Sequence, residues 1–148
     1  MEAFRKRGFI GSDTIVTEWL SGYLQMRGEI ACKGEIVIQV LKLLKVTHGI
    51  EGSQDAMIQT VYYAYNASVR RGGNIARVDN ADHHSAHADR HHRHDFDLGN
   101  GEETLRWTGE AAWPTLSDFI DEIELWYWDH RDQLEHPESF PALGLREP

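Results

Sequence analysis

A succession of strand-like segments, each closed by a turn signal, most constrains what this chain can fold into. Residues 14–20 are rich in β-branched side chains and end at the turn signal Ser21-Gly22. In residues 23–33 apolar and polar side chains alternate, which predicts a strand with one buried face and one wet face. Short connections between such segments favour neighbouring strands, so the pattern predicts an antiparallel meander.

Further strands are predicted on both sides of a polar loop at residues 47–56. In residues 35–46 apolar side chains would lie on both faces of a strand, as in a central strand or one covered on both faces. A helix is the alternative for the second half of this segment. Residues 57–65 then form a long strand. The remaining predicted strands are shorter and follow the break at 70–73: 74–78, 91–98 and 104–107.

Pro114 marks a change of hydrophobic period. Thr115 can cap a helix with Asp118 three residues on, and apolar side chains then recur at helical spacing. A helix over 116–133 is predicted, and its apolar stripe should cover one face of the sheet. The fold class is therefore α+β, an antiparallel β-sheet with a C-terminal amphipathic α-helix. Residues 1–135 are predicted to form a single domain and 136–148 an extended C-terminal tail.

Composition excludes several classes of protein. A chain of 148 residues with 41% hydrophobic content is suited to one packed core rather than to disorder. Its one cysteine, Cys32, excludes an intramolecular disulfide framework and a thiolate-rich zinc site. No run of about 18 apolar residues occurs, so a cytoplasmic protein without a membrane span is expected. The formal charge of -9 argues against a surface coated with cations for nucleic acid, but a local basic site is compatible with it.

The predicted chemical centre is residues 79–97, DNADHHSAHADRHHRHDFD, which hold six of the nine histidines. Imidazole can donate a proton, accept one or bind a metal near neutral pH. On a strand, His92 and His94 would project from one face about 7 Å apart, while His91 and Arg93 would point the other way. Such a pair could act as acid and base on a phosphodiester, with Arg93 or Arg90 stabilising the negative charge.

A metal site is the alternative for the same segment. An H-x-H pair with a third histidine suits Zn²⁺ or Ni²⁺. His83 and His87, or His87 and His91, have the i, i+4 spacing that would place two ligands on one helical turn. The plainest interpretation is a solvated loop with incidental affinity for metals.

Two aromatic groups also have both a functional and a structural interpretation. Tyr63 and Tyr65 share a strand face and could bind a phosphate or stack on a base, although core packing is the commoner role of such a pair. Three consecutive aromatic residues at 126–128 cannot all enter one helical stripe, because successive side chains are about 100° apart. Trp126 and Trp128 therefore predict either edge packing within the chain or a homodimer contact.

Three features occur here in a fixed order: Val78-Asp79-Asn80, then a histidine-rich stretch ending in His92-Arg93-His94, then a terminal helix. In this order the chain resembles the TumE-type toxins of bacterial toxin-antitoxin operons over most of its length. The resemblance implies a cytoplasmic toxin that acts on RNA and is blocked by a cognate antitoxin. It implies that Asp79 and Asn80 contact the substrate.

The leading hypothesis is thus a ribonuclease that needs no cofactor, in which His92 and His94 transfer protons and His91 is an accessory. Histidines in excess of the family pattern, such as His83 and His87, keep the zinc or nickel alternative open. A third hypothesis is a non-catalytic interaction module that uses the aromatic helix.

Overall fold

A computed structural model of the chain describes residues 1–48, 56–81 and 90–136. In these three stretches eight strands form one antiparallel sheet, and a 20-residue helix packs on one of its faces. The helices are α1 (Glu2–Lys6) and α2 (Leu116–Glu135). The strands, in chain order, are β1 (Ile10–Asp13), β2 (Val16–Leu20), β3 (Tyr23–Cys32), β4 (Ile36–His48), β5 (Ala56–Val69), β6 (Asn74–Asp79), β7 (His92–Phe96) and β8 (Glu103–Trp107). The predicted α+β class is confirmed.

From β3 to β8 each strand pairs with the next one along the chain, so the predicted meander is confirmed. β1 and β2 lie along the same edge of β3, at its two ends. Gly28 of β3 faces the link between them. Its φ is +149°, and a Cβ there would lie 2.6 Å from the carbonyl oxygen of Thr14, so only glycine fits without a backbone shift.

Three elements differ from the sequence-based expectation. β4 is extended as far as His48, so the helical alternative for its second half is wrong. β1 and the five-residue helix α1 were not predicted, because neither carries a periodic pattern long enough to recognise. α1 nevertheless places Phe4 in the core, and its end is held by Arg7, which pairs with Asp121 and Glu124 of α2.

A β-bulge in β5 positions the sheet next to the histidine segment. The register with β4 shifts between Leu43 and Leu44, which leaves Val61 without an opposite residue. The side chain of Asn80 holds this bulge, since its amide donates to the Val61 carbonyl at 3.2 Å and its oxygen accepts from the Tyr63 N–H at 2.9 Å. Asn80 is therefore a structural link between the end of β6 and the bulge.

The helix α2 covers one face of the sheet and completes the core. Thr115 and Asp118 form the predicted capping box. Phe119 packs on Tyr65, with ring centroids 5.9 Å apart, and Tyr127 packs at the β3–β4 turn, where a Cβ on Gly34 would meet its ring at 2.9 Å.

In the described part of the chain no helix combines the length and apolarity that a membrane span needs. Residues 137–148, most of the predicted tail, lie outside the described ranges, so the domain boundary stays a prediction.

Candidate functional site

The strand register of β6 and β7 gathers four polar side chains on the sheet face that points away from α2. Asp79 lies opposite His92, and Arg77 lies opposite His94. Their neighbours point the other way, since Arg93 bonds to Glu122 of α2. Part of this group borders a cleft of about 470 Å³ whose lining is Asn66, Asn74, Arg77, Asp79, His94, Phe96 and Glu103.

Asp79 and His92 form a buried pair at the base of this face. Their side chains are 0% and 1% exposed, and Oδ1 of Asp79 lies 3.1 Å from Nε2 of His92. Nδ1 of His92 lies 2.8 Å from the carbonyl oxygen of Arg90. A carbonyl only accepts, so Nδ1 carries a proton and Nε2 is the atom turned to the carboxylate. This contact is favourable when a proton or another cation lies between the two atoms.

Asp79 is also held by two further donors. Its Oδ2 accepts from Nε of Arg77 at 2.7 Å, and its Oδ1 accepts from the backbone N–H of Ala81 at 3.0 Å. The carboxylate therefore links the end of β6, the histidine of β7 and the guanidinium of Arg77. A buried carboxylate needs such partners, because its charge is costly without them.

His94 is the histidine that reaches the cleft. Its Nδ1 is hydrogen-bonded to a carboxylate oxygen of Glu103, which again assigns the proton to Nδ1 and the lone pair of the neutral ring to Nε2. The rings of His92 and His94 have centroids 5.0 Å apart and planes at 71°. The structure thus places the two histidines on one face, with His92 fully buried and His94 partly exposed.

Arg77 supplies the positive charge at the cleft. Its side chain is partly exposed, and among the described residues only its Nε donates a hydrogen bond, to Asp79. Sequence reasoning missed Arg77, although strand alternation over Arg77 and Asp79 could have placed both on one face. It also missed Glu103, whose approach to His94 depends on the register of the β7–β8 hairpin.

Arg93 does not lie at this cleft, although it was a predicted catalytic cation. It points to α2, where it donates to Glu122 at 2.9 Å and to Asp95 at 2.6 Å. Burial lowers the pKa of Arg93, but the hydrogen bonds to Glu122 and Asp95 outweigh burial and leave it raised. This placement follows from strand alternation, because a residue between two histidines of one face must project from the other.

The remaining predicted residues are placed elsewhere or lie outside the described ranges. Tyr63 and Tyr65 are fully buried on the α2 side, where the hydroxyl of Tyr63 lies 2.9 Å from Nδ1 of His91. Burial raises the pKa of Tyr65 to about 12. Asn80 holds the β5 bulge, and Arg90 contributes its carbonyl oxygen to His92. Two members of the predicted metal set, His83 and His87, lie outside the described residues, so that set stays a prediction.

One group of side chains in the described ranges has the spacing of metal ligands. Asp79, His92 and His94 each offer one ligand atom, and these atoms lie within 4.8 Å of one another. Two imidazoles and one carboxylate are ligands that suit zinc and neighbouring transition metals. Among the described residues, these three side chains therefore have the chemistry and the spacing that fit a metal ion.

Comparison with known proteins identifies the family of the chain. No curated protein and no solved structure matches the chain. The family described as toxin TumE matches residues 13–127, from the last residue of β1 to the middle of α2, and so includes the whole cleft. Because the match covers more than three quarters of the sequence, the chain belongs to the TumE toxin family.

Proposed function

We propose that this toxin is a ribonuclease and that His94 is its general base. The observation that carries the proposal is the position of His94 in the cleft, with Glu103 fixing the ring and Arg77 on the neighbouring strand. Membership of a toxin family supports a toxic activity but leaves its chemistry open. RNA is the substrate that this set of side chains suits, because it carries both a hydroxyl to deprotonate and an anionic phosphate.

The proposed reaction uses the 2′-hydroxyl of RNA as the nucleophile. Nε2 of His94 accepts the hydroxyl proton, and the oxygen forms a bond to phosphorus as the bond from phosphorus to the 5′-oxygen breaks. The leaving 5′-oxygen takes a proton from water at the open side of the cleft. Arg77 lies where its guanidinium can stabilise the negative charge on the phosphate oxygens. The products are a 2′,3′-cyclic phosphate and a 5′-hydroxyl end.

His92 has a positioning role in this proposal rather than a direct one. It is 1% exposed, so a substrate in the cleft would meet His94 and Arg77 instead. His92 contacts the carboxylate of Asp79 and so helps to hold it in place, and Asp79 in turn orients Arg77. This differs from the expectation that both histidines of the pair transfer protons. The cognate antitoxin, in the same proposal, acts by blocking the cleft.

Cleavage of RNA by the purified protein tests the proposal. We expect wild-type protein to release cyclic-phosphate ends, and His94→Ala to lower the rate by about 100-fold or more, as loss of a general base does. His48→Ala is the matched control, because His48 is exposed on β4 and remote in the sheet from β7. A substrate with 2′-O-methyl groups should resist cleavage. Equal rates for wild type and His94→Ala would refute the role of His94.

A further inference from the structure

We propose that Asp79, His92 and His94 form a binding site for a divalent transition-metal ion on the sheet face that points away from α2. The site is distinct from the predicted set His83, His87 and His91. All three side chains come from adjacent strands, β6 and β7, whose pairing fixes their relative positions. The ligand atoms are an oxygen of Asp79 and Nε2 of each histidine.

Both imidazoles are oriented as metal-binding histidines are. The Nδ1 atom of His92 donates to a backbone carbonyl, and that of His94 donates to the carboxylate of Glu103. Acceptors of these two kinds hold the second nitrogen of most metal-ligating histidines, so that Nε2 presents its lone pair to the ion. Two independent hydrogen bonds therefore make Nε2 the ligand atom of each ring.

The distances require only a small adjustment. Two ligands about 2.1 Å from a tetrahedral ion lie roughly 3.4 Å apart. Oδ1 of Asp79 and Nε2 of His92 are already 3.1 Å apart, and each of the three side chains has one ligand atom within 4.8 Å of those of the other two. His94, at the surface end, is the side chain that would close on the ion.

The ligand set selects the kind of ion. Two nitrogen atoms and one oxygen favour Zn²⁺, Co²⁺ or Ni²⁺ over Mg²⁺ and Ca²⁺, which prefer oxygen ligands alone. Three protein ligands leave a coordination position open towards the cleft. The guanidinium of Arg77 donates a hydrogen bond to Oδ2 of Asp79. Its positive charge repels a divalent cation, so Arg77 lowers the metal affinity of the site.

Metal binding and proton transfer would compete for the same atom. Nε2 of His94 is the general base in the proposed function and a metal ligand in this site. An ion bound there removes the base, so we infer that zinc inhibits RNA cleavage. This consequence depends on the proposed function, whereas the existence of the site does not.

Titration of the untagged protein with Co²⁺, followed by visible absorption, and with Zn²⁺, followed by calorimetry, tests the site. We expect about one ion per chain, and at least tenfold weaker binding by His94→Ala and by Asp79→Asn, as loss of a ligand implies. A variant with His83, His84 and His87 changed to alanine separates the site from the rest of the histidine segment, and it should bind as wild type does. Melting temperatures without metal show that each variant is folded.

The variant Arg77→Gln gives the sharpest result, because two roles of Arg77 predict opposite effects. If Arg77 only holds Asp79 in place, the substitution should weaken metal binding. If its positive charge repels the ion, the substitution should tighten metal binding severalfold, and this is the result we expect. Absence of binding, or binding lost only in the triple alanine variant, would overturn the metal site. Activation of cleavage by zinc would keep the site but refute the role of His94 as general base. Absence of any cleavage with metal binding intact would refute only the proposed function.

Discussion

At the scale of single residues, alternate side chains of β7 project from opposite faces of the sheet, and only one set lies on the side of the cleft. His92 and His94 face the cleft side of the sheet, whereas Arg93 and Asp95 face α2. The sequence predicted this alternation correctly and offered Arg93 or Arg90 as the cation that binds the phosphate. The cation on the cleft side is Arg77, which is distant in sequence and adjacent only through strand pairing.

The two arginines should therefore respond differently to substitution. Arg93→Met should reduce the free energy of unfolding by about 1 kcal/mol, a value that allows for solvent screening of its partly exposed partners Asp95 and Glu122. It should leave the rate of RNA cleavage per folded molecule unchanged. Urea unfolding and cleavage assays measure the two effects. Arg106→Met is the control for stability, since its pair with Asp95 is more exposed and should contribute little.

At the scale of elements, α2 was the easiest to predict because its signals are local. The capping box needs only Thr115 and Asp118, and the apolar stripe needs only helical spacing. β1 and α1 were not predicted because both are too short to show a periodic pattern, and the bulge in β5 was not predicted because it depends on a contact between residues far apart in sequence. The bulge, for example, is held by Asn80, 19 residues after Val61.

The capping box makes stability depend on pH in a defined direction. Hydrogen bonds from the side chain and backbone of Thr115 hold the pKa of Asp118 below its usual range, and the weaker effect of burial opposes them. A lowered pKa in the folded state adds stability above the usual carboxyl pKa of about 4, and this is lost as pH falls through the folded value.

Unfolding measured at pH 7 and at pH 3 tests this dependence with Asp118→Asn. We expect the variant to be less stable than wild type at pH 7, and the difference to narrow at pH 3. Thr115→Ala, which removes the other half of the box, should cost about 1 kcal/mol at pH 7. A difference between wild type and Asp118→Asn that is the same at both pH values would contradict the assignment.

At the scale of the whole molecule, α2 presents an aromatic surface to solvent. Tyr127 is buried against the sheet, Trp126 packs partly on the core and stacks on His130, and Trp128 is 47% exposed beside the exposed Leu125. The three aromatic residues thus point in different directions, as helical geometry requires. Leu125 and Trp128 leave an apolar patch that suits a protein contact.

We expect this patch to mediate a homodimer. Trp128→Ser should shift the protein towards monomer in analytical ultracentrifugation while leaving its melting temperature within a few degrees of wild type, because the indole is half exposed. Trp19→Ser is the matched control, since Trp19 is 65% exposed on β2, on a different element. Wild-type protein that is monomeric at every concentration tested would contradict this expectation.

The sequence by itself determined the α+β class, the meander, the terminal helix and the family. These follow from periodicity, turn signals and capping, which act over a few residues, and from an ordered set of motifs. It also placed His92 and His94 on one face, as the structure does. Only the tertiary structure decided which groups join them. Arg77 comes from the neighbouring strand and Glu103 from across a hairpin, because strand register sets those contacts and cannot be read from a single strand.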